Sequence, residues 1–334
     1  APHYEHHKSR SVTGAWRMAF VWLAFGLGLL LLGAEALVRG GAGLARALGI
    51  SPLLIGLTVV AYGTSTPELV ISVDAAIQGR AGIAVGNIVG SNTINILVIL
   101  GFTALLAPIK VAPEDTWRSA VFMAGAAALF VFIAATEETI TRAWGAVLLV
   151  LMALTTAAGF WAERGHRGAA IESAEVPKAA PRAMTTQLIL IAGGLALLFT
   201  GGNLFVDNAA AIARAAGVSE TVIGLTLVAV GSSLPELAAS VIAALKRQPD
   251  IAVGNVIGSN IYNILAILGA TAAIAPVSVD PALVRLDIWV MGGATLAILP
   301  ALLLGTPLGR GYGFAMLFAY GVYLAFMLRQ AGVF

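Results

Sequence analysis

Shifted by 168 residues, this sequence lies over itself without a gap. GTSTPEL (63–69) stands over GSSLPEL (231–237), and IAVGNIVGSNTINILVILG (83–101) over IAVGNVIGSNIYNILAILG (251–269). Between residues 50 and 101, 30 of 52 positions are identical to their counterparts. Unrelated apolar helices match by chance in Leu, Ala and Val. Here Gly, Pro, Glu, Ser and Asn match as well, which marks a duplicated unit.

Composition says where that unit lives. The chain has 334 residues, 59% hydrophobic and 11% charged, against about 25% charged in a soluble domain. Such a surface faces lipid. The formal net charge of +2 gives no basis for a nucleic-acid partner. The absence of Cys excludes disulfides, thiolate metal sites and a Cys nucleophile.

Ten segments are long and apolar enough to span a bilayer: 17–38, 50–78, 83–107, 118–136, 142–162, 186–212, 219–245, 251–275, 286–305 and 311–328. They are continuously apolar and rich in Gly, Ala and Leu, which predicts helices and not the short alternating strands of a barrel. Residues 163–185 differ, carrying Arg164, His166, Arg167, Glu172, Glu175, Lys178 and Arg182 with two prolines. The expected organisation is an N-terminal tail (1–16), a first five-helix repeat (17–162), a polar linker (163–185) and a second five-helix repeat (186–334). Lys8, Arg10 and Arg17 before an apolar run suggest a signal peptide. That run continues too far, and it has an internal counterpart at 186–212, so it reads as a span. His3, His6 and His7 fall in the tail and are not expected to form a metal site.

The repeat offset covers five spans. Five is odd, so the two copies enter the membrane from opposite sides. The fold class is therefore all-α integral membrane: ten transmembrane helices as two inverted five-helix repeats, with a substrate site near the midplane where the copies meet. A small excess of Lys and Arg on the linker side predicts a cytoplasmic linker in a multi-pass protein of the cell (inner) membrane; Lys8, Arg10 and Arg17 point the other way.

The chemistry concentrates at Pro67-Glu68 and Pro235-Glu236. A carboxylate inside an apolar span costs about 3 kcal/mol on insertion scales. A lone Glu there reads equally as a helix-end residue or a protonated carboxyl. Two at equivalent positions of an inverted repeat face each other across the axis. Proline cannot bond the carbonyl four residues back, which frees Gly63 and Gly231; the alternative is a plain kink. Thr64 and Ser232, four residues before each Glu, and Ser65 and Ser233, three before, share its face. Ser72 and Ser240 are expected to bond their own backbone. Asn87, Ser91 and Asn95, and likewise Asn255, Ser259 and Asn263, line one helix face, where amides also serve as interhelical glue. Asn92 and Asn260 lie off that face and bond between helices. Gly86/Gly90 and Gly254/Gly258 are assigned to close helix packing. Asp74 has no acidic counterpart and is expected to line a vestibule. Glu35 and Asp207 fall near span ends.

All these donors are hard oxygens, without His or Cys, which disfavours zinc and copper. Ca²⁺ accepts about 6–8 oxygens in flexible geometry and suits the set better than Mg²⁺. Two carboxylates balance one Ca²⁺, two Na⁺ or two protons, so one site can serve competing cations in turn.

GTSTPELVISV with GNIVGSNTINILVILG, and GSSLPELAASV with GNVIGSNIYNILAILG, resemble the two alpha repeats of the cation/Ca²⁺ antiporter superfamily. The Pro-Glu form resembles the Na⁺/Ca²⁺ exchangers, prokaryotic ones included, more than the proton-driven Ca²⁺ exchangers. The resemblance covers essentially the whole chain. It implies alternating access with roughly three Na⁺ against one Ca²⁺, hence electrogenic transport. It also implies a ligand set: Glu68 and Glu236 shared, Thr64, Ser65, Ser91 and Asn95 from the first repeat, and Ser232, Ser233, Ser259 and Asn263 from the second. Backbone carbonyls near Ala61 and Ala229 would serve Na⁺. Several relatives carry Asp at the position of Asn263, an acid linked to K⁺ use, so the amide here implies K⁺ independence. The expected partners are Ca²⁺ and Na⁺ as substrates and the lipid bilayer. No cofactor and no enzymatic activity are expected, and oligomeric state is not fixed.

Three other readings stay open at this point. A Ca²⁺/H⁺ or other divalent-cation exchanger would use the same carboxylates to carry protons. A cation channel would draw its symmetry from several subunits. An intramembrane enzyme would need a Ser/His pair, paired catalytic Asp or HExxH, and the spans hold none.

Overall fold

The computed structural model describes residues 2–110, 112–171 and 181–333, with the backbone alone for residues 2–17, 164–171, 181–183, Thr221, Leu225, Val228 and Ala229. It is almost wholly helical. In chain order the helices are α1 (Pro2–Leu48), α2 (Pro52–Thr64), α3 (Thr66–Ile77), α4 (Ala81–Leu106), α5 (Pro113–Thr136), α6 (Arg142–Ile171), α7 (Pro181–Ala215), α8 (220–231), α9 (Leu234–Leu245), α10 (Pro249–Ile274), the short α11 (Pro281–Arg285), α12 (Asp287–Leu304) and α13 (Arg310–Gln330). Among the described residues, eight of these are long and apolar enough to cross a membrane. The bent pair α2–α3 passes the same test as a unit, and α9 is a shorter apolar helix.

Two boundaries differ from expectation. The first helix starts at Pro2, because no helix breaker intervenes before Gly14; the expected tail is a helical extension of the first span. The expected linker narrows, since α6 runs on to Ile171 and α7 begins at Pro181. Residues 172–180, at its centre, lie outside the described residues, as do the side chains of His3, His6 and His7.

The duplication is legible in backbone detail. Each repeat holds two π-helical turns at matching positions: Gly56–Val60 with Gly224–Val228, and Asn95–Leu100 with Asn263–Leu268. Inserted π turns commonly mark functional sites. Outside the helices, Ile109 bridges Leu308, and a two-stranded antiparallel ribbon pairs Thr139–Ile140 with Val277–Ser278. These links are repeat images of one another, Ile109 matching Val277 and Ile140 matching Leu308.

The helices α1 and α7 are also repeat equivalents, and they pack antiparallel along a glycine seam. A Cβ on Gly33 would lie 2.7 Å from the Gly194 carbonyl oxygen, and one on Gly201 would lie 2.7 Å from that of Gly26. Gly26 and Gly33 correspond to Gly194 and Gly201, so the seam meets its own image head to tail. Small residues are what allow such close approach in a membrane.

Burial is graded from the centre outward. In the apolar windows of α10 and α4, 94% and 78% of residues are buried, against 11% in α6 and 17% in α13. The two conserved-pattern segments of the repeat thus form the centre, and the remaining helices present Leu, Phe and Val to lipid. Helices buried all round carry their polar groups inward, which is what brings the repeated Glu, Ser and Asn together.

Candidate ion-binding site

Each bent segment breaks just before its Pro-Glu pair. Between α2 and α3 the chain turns by 47° at Ser65. Between α8 and α9 it turns at residues 232–233. Ser65 and Ser233 share one backbone conformation, φ −82°, ψ 10° and φ −91°, ψ 8°, in the sparsely occupied bridge region. The break falls two residues beyond the glycines expected to unwind. Proline fits the first turn of a helix, where its missing N–H is no loss. Pro67 and Pro235 therefore open new helices, and the preceding helix runs on until the turn.

Glu68 and Glu236 stand in the first turns of α3 and α9 and are 1% exposed. The positive end of each half-helix dipole favours the carboxylate there. Each carboxylate is also bonded from the opposite repeat. Ser65 Oγ lies 2.9 Å from Glu236 Oε1, to which it donates, and 3.0 Å from Ser259 Oγ. Ser233 Oγ donates to Glu68 Oε1 at 3.2 Å. Ser232 faces Glu68 and Thr64 faces Glu236. The predicted carboxylates and hydroxyls are thus brought together, and across the repeats.

The amides complete the arrangement. Asn95 and Asn263 open the second π turn of each repeat and are 1% exposed. The Asn95 turn packs on the helix of Glu236, and the Asn263 turn on that of Glu68. Four oxygens here are buried with no hydrogen-bond partner: Glu68 Oε2, Glu236 Oε2, Asn95 Oδ1 and Asn263 Oδ1. An unpaired buried acceptor costs about 1–3 kcal/mol, and a charged one more. Four such atoms at two pairs of repeat-equivalent positions describe a place prepared for positive charge. Among the described residues no three His, Cys, Asp or Glu groups gather as a metal cluster; the acceptors here are two carboxylates with amide and hydroxyl oxygens.

Other predicted members hold differing places. Ser91 and Ser259 are buried on α4 and α10. The Ala61 carbonyl accepts the Ser65 N–H at 3.0 Å and the Thr64 hydroxyl at 3.4 Å. In the second repeat the Ser233 N–H donates to the Val230 carbonyl, 3.1 Å away. Asn87 and Asn255 brace the site from behind, donating to the carbonyls of Glu68 (3.1 Å) and Glu236 (3.3 Å) and to the hydroxyls of Ser72 and Ser240 (both 2.9 Å). Ser72 and Ser240 therefore bond the neighbouring helix, contrary to expectation, because an amide on that helix reaches them. Asp74, expected to line a vestibule, is exposed, accepting from Gln78 at 2.6 Å with Arg80 at 3.8 Å. Glu35 pairs with Arg39 at 2.5 Å and Lys246 at 2.9 Å, and Asp207 is exposed. Met123 and Met291, repeat equivalents that touch the site's asparagines, were not anticipated, although their matched positions were visible.

The two repeats pack their glycines differently beside the site. A Cβ on Gly254 would lie 2.6 Å from the Leu53 carbonyl, one on Gly258 2.5 Å from that of Leu57, and one on Gly56 2.8 Å from that of Ile251. Here α2 and α10 meet backbone to backbone. The equivalent glycines, Gly86, Gly90 and Gly224, have nothing within 4 Å of that position among the described residues. Among those residues the expected close glycine packing is seen for one repeat pair. That close-packed end is the one where the Ser51 N–H donates to Glu163 at 2.7 Å, beside the linker.

Comparison with known proteins follows this geometry. The family model described as sodium/calcium exchanger protein matches residues 18–161 and 186–329, one match per repeat. The chain is 36% identical over 323 residues to inner membrane protein YrbG of Escherichia coli, covering 93% of this chain and 97% of that one. It is 32% identical over 340 residues to sodium/calcium exchanger MaX1 of Methanosarcina acetivorans, covering 91% and 97%. Among solved structures, the sodium-calcium exchanger NCX_Mj soaked with 10 mM Na⁺ and zero Ca²⁺ superposes with a TM-score of 0.78 at 30% identity, covering 93% and 99%.

Proposed function

The chain belongs to the sodium/calcium exchanger protein family, and from that premise we propose that it is an antiporter exchanging Ca²⁺ for Na⁺ by alternating access. The observation that carries this reading is the group of four buried, unpartnered oxygens on Glu68, Glu236, Asn95 and Asn263. The two carboxylates neutralise one Ca²⁺, and with the two amide oxygens they offer it four of the about 6–8 oxygens it takes. Thr64, Ser65, Ser91, Ser232, Ser233 and Ser259 supply hydroxyls, and the carbonyls of Ala61 and Ala229, at half-helix C-termini, serve Na⁺. A carbonyl oxygen has two lone pairs, so the one occupied by Ser65 leaves Ala61 able to coordinate.

The chain crosses the membrane ten times, α2–α3 and α8–α9 each counting as one broken span, in two inverted repeats. The antiparallel α1–α7 seam supports the inversion. The linker is cytoplasmic and the membrane is the cell's inner one. The end where α2 and α10 meet backbone to backbone is then the cytoplasmic end. Three Na⁺ against two carboxylates leave a positive excess, so exchange is electrogenic. With an amide at Asn263 and no third acid in the site, it is independent of K⁺.

Flux into Na⁺-loaded proteoliposomes tests this. Ca²⁺ uptake follows the Na⁺ gradient, ignores replacement of K⁺, and accelerates when the interior is made positive, because each cycle carries net positive charge outward. Uptake that ignores Na⁺ and follows a pH gradient overturns the reading in favour of a proton-coupled exchanger.

A further inference from the structure

An asparagine is a two-ended ligand. Its Oδ1 attracts a cation and its Nδ2H₂ repels one, and the two ends are nearly the same shape. A site that uses Asn95 and Asn263 must therefore fix which end faces inward. Neither residue's own backbone does so. Each Nδ2 is instead bound by another asparagine from the opposite repeat: Asn95 Nδ2 donates to Asn260 Oδ1 at 3.1 Å, and Asn263 Nδ2 donates to Asn92 Oδ1 at 3.0 Å. The Oδ1 atoms left over are the two unpartnered amide oxygens of the site.

The second asparagines are themselves oriented. Asn92 Nδ2 faces the Asn260 carbonyl at 3.5 Å and Met291 Sδ at 3.8 Å, and Asn260 Nδ2 faces Met123 Sδ at 3.8 Å. Met123 and Met291 are repeat equivalents on α5 and α12. Turning Asn263 over would set its Oδ1 against Asn92 Oδ1, two acceptors without a proton between them. It would also aim an amine at the cation. All four asparagines are at most 2% exposed, so water cannot relieve the mismatch.

We propose that Asn92 and Asn260 are positioning residues of the ion site, each holding the opposite repeat's amide so that its carbonyl oxygen faces the cation. They touch no ion themselves. This rests on the reading of the site as a Ca²⁺ site. It accounts for how an amide serves where an acid would need no orientation: both ends of a carboxylate accept.

That last point supplies the test. Ca²⁺ binding is titrated calorimetrically in detergent, and flux is measured in proteoliposomes. Asn92→Leu keeps the volume and removes the acceptor. It weakens Ca²⁺ binding and raises KM on the order of tenfold, the usual worth of one oriented hydrogen bond, with the maximal rate within about twofold of the parent at this scale of effect. In an Asn263→Asp background, where either oxygen can face inward, Asn92→Leu changes affinity by less than about twofold. The repeat-related cycle, Asn260→Leu with and without Asn95→Asp, behaves the same way.

An equal loss in both backgrounds overturns the inference, since a merely structural asparagine would matter regardless of what stands at 263. Unchanged affinity in Asn92→Leu and Asn260→Leu overturns it as well. The site reading is judged separately by Glu68→Gln: if that variant binds Ca²⁺ normally, the site is wrong. If it does not bind and the asparagine variants do so normally, only the orienting role fails.

Discussion

The two bent segments, α2–α3 and α8–α9, are copies in sequence and unlike in contact. Residues 56–58 read GLT and 224–226 read GLT again. Yet Gly56 is pressed on the backbone of α10, while Gly224 meets nothing within 4 Å among the described residues. Thr58 is buried and Thr226 is partly exposed. Asn255 is fully buried and receives a hydrogen bond from Thr64 at 3.3 Å, while its counterpart Asn87 is half-buried. Nearly the same residues thus take two packings within one molecule. That teaches that the difference is one of state and not of composition. Under the alternating access proposed above, the second form is the one in which the two packings are exchanged and the close glycine contact falls at the opposite end.

The largest effect should be blind to this asymmetry. Glu68 and Glu236 occupy the two halves but complete one site. Glu68→Gln and Glu236→Gln should each lower Ca²⁺ exchange by at least about a hundredfold, because either leaves a single carboxylate to balance a divalent ion. The variants should elute and melt as the parent does. Normal flux in either one would break the equivalence between halves, and with it the shared site.

Next comes a pair of substitutions that should separate the halves. The chain has no Cys, so a thiol placed at Thr58 or Thr226 reports accessibility alone. In the parent, a thiol at 226 should react readily and one at 58 poorly. Gly258→Ala puts a methyl 2.5 Å from the Leu57 carbonyl, a clash confined to the form described here. Overpacking costs about 1–3 kcal/mol, so labelling at 58 should rise by roughly tenfold and labelling at 226 should fall. Gly90→Ala meets nothing within 4 Å among the described residues and is expected to clash in the exchanged form, so it should move both reporters the opposite way. Both variants should slow turnover. Shifts in the same direction for the two would mean that the glycines are mere packing and the halves do not exchange.

Much of this was legible in the sequence, for a physical reason. A carboxylate, a proline or an asparagine in lipid is costly enough to need an explanation, so Glu68, Pro67 and Asn95 announce themselves, and the 168-residue offset doubles each signal. The exact break at Ser65 was not legible, since Gly63 and Pro67 both permit it and only packing decides. The α1–α7 seam was visible as glycines seven apart at 26, 33 and 40, and again at 194 and 201, but glycine in an apolar run says nothing of its partner. The orienting role of Asn92 and Asn260 needed cross-repeat distances. Which end packs closely could not be read at all, because the same glycines stand at both ends.

The smallest expected effect concerns an ionic contact that has no counterpart in the repeat. Lys246 reaches from the end of α9 to Glu35 on α1 at 2.9 Å. The equivalent positions are Gln78 and Asn203, which carry no charge. This clip therefore ties α1 to one half alone, and its loss should favour the exchanged form. Both side chains are partly exposed and Arg39 shares the same carboxylate oxygen at 2.5 Å, so water and the second cation screen the pair. Exposed pairs contribute about 0.2–1 kcal/mol. Lys246→Gln should then shift thiol labelling at 58 and 226 by no more than roughly fivefold, and high salt should reproduce the shift in the parent. A change as large as that from Gly258→Ala would mean that the clip, and not the glycine contact, decides which end packs closely.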